Sequence, residues 1–183
     1  MRILPVLCLL ALPLPAHAET LSAEIGRSGI AATEGRLAAL PQPDTADLFA
    51  LAGLRFLAAL EHAMQERWHY GVSDRTGMLP FLRAPLVENP APAPYDPALI
   101  ARIFRDTAAA MDQTRAALGQ IPPDSDFAVE IDFADIWFDI NANHSRDPGE
   151  DMMQILGPML MGREWDSRDP ATPAPVVRFD SAD

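Results

Sequence analysis

Proline constrains this chain more than any other residue. There are 18 in 183 residues, with tight groups at 41–43, 90–94, 122–123 and 170–175. Each removes a backbone donor, fixes φ and biases the preceding residue away from helix. Helices must therefore fit between these groups, and the connections must fall on them. The spacing predicts a first helix over 20–40, with Leu21, Ile25, Ala32, Leu37 and Leu40 loosely on one side. Gly26, Gly29 and Gly35 weaken it by up to about 1 kcal/mol each relative to alanine. Asp44 followed by Asp47 reads as the start of a stronger helix over 45–70. Its apolar stripe is Phe49, Ala52, Phe56, Leu60, Ala63 and Met64, with Arg55, His62, Glu66 and His69 on the opposite face.

Residues 71–96 read as a long irregular connection, extended where the prolines alternate with alanine at 89–94. Asp96-Pro97 then opens a third helix, with cap and proline in the favoured order. Its expected buried face is Ile100, Ile103, Phe104, Thr107, Met111, Thr114 and Leu118, and Gly119 stands where a left-handed terminating glycine belongs. Phe127, Val129, Ile131 and Phe133 alternate with acidic or small residues, and Ile136, Phe138 and Ile140 resume one place out of phase. That pattern predicts one or two short strands with a bulge near Ala134-Asp135. A short helix is expected over 150–161, weakened by Gly157-Pro158, and Val176-Val177-Arg178-Phe179 begins like a strand.

The N-terminus has the layout of a secretory leader. Arg2 is followed by a short apolar run and by Ala16-His17-Ala18, a small-x-small cleavage site. The run is too short to span a bilayer. Cleavage after Ala18 removes the only cysteine, Cys8, and with it disulfide and thiolate chemistry. The remaining 19–183 is the length of about one domain. We expect a helical domain over 19–165 and a proline-rich tail over 166–183, the latter a shortened end of the chain. The formal charge of −12 becomes one unit more negative when Arg2 leaves. So acidic a chain excludes nucleic acid and anionic membrane as favoured partners, and suits a periplasmic or secreted protein that binds cations. Nothing in the sequence specifies a protein partner.

The densest chemistry lies in 139–150, Asp-Ile-Asn-Ala-Asn-His-Ser-Arg-Asp-Pro-Gly-Glu. Asp139, Asn141, Asn143, Ser145, Asp147 and Glu150 place oxygen donors at loop positions 1, 3, 5, 7, 9 and 12, the ligand spacing of a calcium loop. Ser145 would contribute its backbone carbonyl, and Glu150 the carboxylate that closes the site. Position 6 is His144 instead of glycine, although the backbone there must be left-handed. Position 8 is Arg146, where a paired loop would carry an aliphatic residue. The affinity expected is on the order of 10⁻⁴ to 10⁻³ M, the range of extracellular modules. Magnesium, which demands tighter octahedral geometry, is disfavoured.

The stretch resembles the Asp-x-Asn-x-Asn-Gly-x-x-Asp-x-Gly-Glu loops of secreted bacterial calcium modules and of EF-hand-like proteins. More loosely, Leu54-Arg55-Phe56-Leu57, the segment from Asp132 to Asn143 and Val177-Arg178-Phe179-Asp180 resemble a family of uncharacterised exported bacterial proteins. In that family the chain continues into a further helical region, so the resemblance implies a shortened form. It implies a location and a loop, and no reaction.

Other groupings carry less. His62, Glu66 and His69 share a helix face and could offer zinc or copper ligands. Solvated polar residues belong on that face in any case. Met152, Met153, Met159 and Met161 suggest a thioether copper site, or packing. Glu130, Asp132 and Asp135 read as the outer side of strands or as support for the loop. There is no nucleophile elbow or phosphate loop. The sequence therefore predicts a mainly α fold, three to four helices with a short β element beside a calcium-binding loop. The expected role is a non-enzymatic exported protein with one structural calcium site. The alternatives are a truncated piece of an enzyme or a periplasmic zinc or copper carrier.

Overall fold

The computed structural model describes residues 19–72, 84–169 and 171–181. The expected leader lies outside them. In chain order the elements are α1 (Leu21–Ala38), α2 (Thr45–His69), α3 (Leu99–Leu118), β1 (Ala128–Asp132), α4 (Met152–Met161), α5 (Arg163–Ser167) and β2 (Val176–Asp180). The fold is mainly α with a small antiparallel sheet, as the sequence predicts. No described helix is long and apolar enough to cross a membrane.

α2 is the central element and packs against α1, α3 and β1. Asp44 and Asp47 form a reciprocal cap at its start: Asp47 N donates to Asp44 Oδ1 at 2.8 Å and Asp44 N donates to Asp47 Oδ2 at 3.1 Å. At its other end, Asn89 Nδ2 donates to the Trp68 carbonyl at 3.0 Å, and Ala93 N donates to the His69 carbonyl at 2.8 Å. The proline-rich stretch thus supplies donors to carbonyls that a helix end leaves unsatisfied. Ala52, Ala63 and Met64 are buried as expected, but Phe56 is 43 % exposed. The buried side also includes Leu54, Glu61 and Arg67.

α1 is two helical pieces joined at Gly29, whose φ of 81° is left-handed. The kink frees helix carbonyls, and Trp137 Nε1 donates to those of Ile25 and Gly26 at 3.1 and 3.2 Å. A Cβ on Gly29 would lie 2.9 Å from the Trp137 ring. This glycine is therefore fixed by its backbone and by close approach.

α3 keeps most of the expected face, with Ile103 buried and Ile100, Thr107, Met111 and Thr114 half-buried, but it departs from that face at its edges. Leu99, Ile103 and Ala117 are buried, whereas Phe104 and Leu118 stand exposed. The α2–α3 contact is built around Ala63, Leu99 and Ile103 as a small cluster of its own. Gly119 has φ −65°, so the helix ends through ordinary right-handed backbone instead of the expected left-handed glycine.

β1 and β2 pair antiparallel, Ala128 opposite Asp180 and Asp132 opposite Val176. Val129 and Ile131 face the core, and Phe179 stacks near Phe49. The predicted bulge is a turn, closed by Asp135 N to the Asp132 carbonyl at 3.0 Å. Beyond it, Ile136, Trp137, Phe138, Asp139 and Ile140 are all buried. This extended run lies inside the protein with neighbours on both sides, so strict alternation is lost. α4 begins at Met152, two residues later than expected, and α5 is an additional short helix.

Candidate cation loop

Residues 139–150 leave and re-enter the core through a narrow neck. Phe138 N donates to the Glu150 carbonyl at 2.9 Å and Met152 N to the Ile136 carbonyl at 3.0 Å. Trp137 and Asp151 form an isolated antiparallel bridge between these two bonds. Arg146 Nε reaches Asp151 Oδ1 at 2.9 Å and its Nη2 the Ala134 carbonyl at 2.8 Å, bracing the neck from outside. Within the loop, Ala142, His144 and Gly149 have positive φ of 56°, 62° and 94°. His144 thus adopts the left-handed backbone that its position requires.

The loop's side chains are drawn together by hydrogen bonds. Asp139 accepts from Asn143 N through Oδ1 and from His144 N through Oδ2, both at 2.9 Å. Asn141 and Asn143 each donate an amide proton to Asp147 Oδ2, at 2.8 and 2.7 Å. Glu150 accepts from Ile140 N at 2.9 Å and from Asp147 N at 2.8 Å, one bond per carboxylate oxygen. Ser145 joins through its N–H, which donates to Asn143 Oδ1 at 2.8 Å. Glu150 is fully buried and Asp139 nearly so. The His144 ring is 90 % exposed, with its Nδ1 3.6 Å from Asp139 Oδ2.

Two residues of α2 complete the site, and the sequence reading did not select them. Glu61 Oε2 accepts from Asp139 N at 2.9 Å, and Gln65 Nε2 donates to the Asp139 carbonyl at 2.7 Å. Together they hold both backbone polar groups of the first loop residue, as a neighbouring strand would. Burial pushes the Glu61 carboxyl up to about 7; the Asp139 N–H opposes this, and the charges of Asp139 and Glu150 add to it. Burial also raises Glu150, against the pull of the two backbone donors it accepts from. The signal for Glu61 was its place in the row Leu54, Leu57, Glu61, Met64, Trp68, an acid in an otherwise apolar helical stripe.

In this arrangement the loop carboxylates are satisfied by N–H groups. Among the described residues, no group of three His, Cys, Asp or Glu side chains is placed to hold a metal ion. The donor chemistry nevertheless fits a hard cation. Rotating the Asn141 and Asn143 amides would exchange an NH₂ for a carbonyl oxygen beside Asp147, giving an all-oxygen set of the kind calcium takes, at the cost of the bonds their oxygens now accept from Asn143 N and Ser145 N.

The competing groups are dispersed or already engaged. Glu66 Oε2 is bound by Arg102 Nη2 at 2.7 Å, and His62 lies 4.0 Å from Asp106. Met152 belongs to the core while Met159 is 41 % exposed. Asp135 accepts from Ser22 Oγ at 2.6 Å, and Asp132 N donates to that same hydroxyl at 2.9 Å, which ties the β1 turn to α1. No protein-family model, curated protein or solved structure matches the chain.

Proposed function

We propose that this is an exported, non-enzymatic protein that carries one structural calcium ion in the 139–150 loop. One observation carries the reading: Asp139, Asn141, Asn143, Asp147 and Glu150 are tied to one another on a loop closed at its neck. Those five residues, with the Ser145 carbonyl, would hold the ion. Calcium would supply the positive charge that the loop carboxylates lack. The protein's part is to keep the ends of the loop fixed, through the neck and the grip of Glu61 and Gln65 on Asp139. The ion would then pin the buried run before the loop to α4 after it. Export rests on the leader-like residues 1–18, and the acidic balance fits a cation partner better than nucleic acid or an anionic membrane.

The test compares melting temperatures in 10 mM calcium and in chelator, for wild type and for Glu150→Gln. A ligand bound only by the folded state stabilises it by RT ln(1 + [L]/Kd). For the affinity range above that is about 1.4–2.7 kcal/mol. Wild type should gain this and the variant should not. A wild-type transition that calcium leaves in place sinks the reading.

A further inference from the structure

β1 has a partner on one side and an open edge on the other. Phe133 N donates to the Pro175 carbonyl at 3.0 Å, in register with the pairs from Asp132–Val176 to Ala128–Asp180. Bonded pairs alternate along an antiparallel ladder. Val129 and Ile131 therefore bond across to β2, and the N–H and C=O groups of Ala128, Glu130 and Asp132 point the other way. The Ser22 hydroxyl accepts from Asp132 N and closes that end of the edge. Among the described residues, no hydrogen bond reaches the outward backbone groups of Ala128 and Glu130, and both residues are exposed. This edge forms one wall of a cleft of about 550 Å³ between β1, α1 and the start of α2. Glu130, Asp132 and Asp135 line the cleft from the strand and the turn after it, and Glu19, Glu24 and Asp47 from the helices. Arg36 is the one lining cation among the described residues, and Glu24 already holds it at 2.6 and 2.7 Å. The Glu130 carboxylate has no ion-pair or hydrogen-bond partner among those residues. No three of these carboxylates are placed to hold a metal ion, so the charge of the cleft suits an extended cation.

We propose that β1 takes an extended basic peptide along this edge as a third strand. Main-chain bonds to Ala128 and Glu130 supply the affinity, and alternate side chains supply the specificity. Cross-strand neighbours share a face of the sheet, so a lysine or arginine stands opposite Glu130 and a second, two residues on, reaches Asp132. The residue between them falls on the Val129 side, where Leu37, Ala46 and Ala50 line the cleft and favour an apolar side chain. Charge selects this occupant. An acidic segment would meet six carboxylates, and a second copy of this chain, at −12, would be repelled. The proposal does not depend on the cation loop.

The test is calorimetric titration, in chelator and at low salt, with the end-blocked pentapeptide Lys-Val-Lys-Val-Lys. It should saturate at one per chain, and Glu-Val-Glu-Val-Glu should not bind. Alternate N–H groups of an added strand face β1, so methylating the lysine nitrogens in one peptide and the valine nitrogens in another should block only one of the two. Glu130→Gln should weaken binding by about 1.5- to 5-fold, the worth of one exposed ion pair. Ala128→Pro removes an outward N–H without touching a bond to β2 and should weaken binding further; the methylated peptides give the same readout if that variant does not fold. The chain contains no lysine, so carbodiimide coupling of the peptide's amines, mapped by mass spectrometry, should fall on Glu130 and Asp132. The proposal is overturned by non-saturating binding, by equal effects of the two methylation patterns, by spermine binding as tightly as the peptide (an acidic patch only), by coupling elsewhere, or by a dimer, seen in sedimentation, that the peptide does not dissociate.

Discussion

Replacing Glu61 by glutamine should remove most of a pH dependence that wild type shows between about pH 4.5 and 7. In the folded protein this carboxyl is raised from 4.5 to about 7, chiefly by burial. Between those values the folded chain keeps a proton that the unfolded chain has released, so ν_N exceeds ν_U and stability falls as pH rises. The favourable contribution is complete below the unfolded value and is gone once pH has passed through the folded one. At 1.36 kcal/mol per unit, the loss across the window is about 3 kcal/mol. Glutamine cannot ionise. Its carbonyl can still accept from Asp139 N, and its amide can donate toward the carboxylates of Asp139 and Glu150, whose charges act at this position. Urea unfolding in chelator at pH 5, 6, 7 and 8, followed by tryptophan fluorescence, gives both stability curves. Their difference isolates Glu61 from the other carboxylates. The curves should converge near pH 5 and separate by about 3 kcal/mol at pH 8, with the variant more stable. Parallel curves would refute the reasoning, because they would mean that Glu61 ionises as freely in the fold as in water.

Gly29→Ala should cost about 3 kcal/mol, combining left-handed backbone in a non-glycine residue with a contact at 2.9 Å to the Trp137 ring; a thermal or urea melt within about 1 kcal/mol of wild type would contradict the account of the kink. Asp44→Ala removes the acceptor for Asp47 N and should cost about 1 kcal/mol, read from the same melts. Gln65→Leu should leave the Asp139 carbonyl without its α2 donor and, under the proposed calcium site, shrink the calcium-induced rise in melting temperature, with the helical circular-dichroism signal unchanged.

Much of the architecture was legible because it depends on local chemistry. Proline placement limited where helices could run, and the Asp44–Asp47 box marked the start of α2. Alternation around Val129 and Ile131 announced β1. The loop's left-handed position at His144 followed from its offset in the donor pattern, and the φ there is 62°. The face of α3 was legible only in part. Its bulky residues suggested one stripe, of which Ile103 is buried, but Phe104 and Leu118 stand exposed while Leu99 and Ala117 are inside. Burial depends on which surface faces a neighbour, and periodicity alone does not name the neighbour.

The sequence by itself determined which oxygen-bearing side chains stand in 139–150 and in what order, because residue type and spacing are properties of a short continuous segment. Only the tertiary structure decided what holds that segment. Glu61 and Gln65 lie more than seventy residues before Asp139, and their part in the site exists only once α2 is laid against the buried run. Local chemistry is written along the chain. Burial and the Glu61 proton arise from the meeting of distant segments.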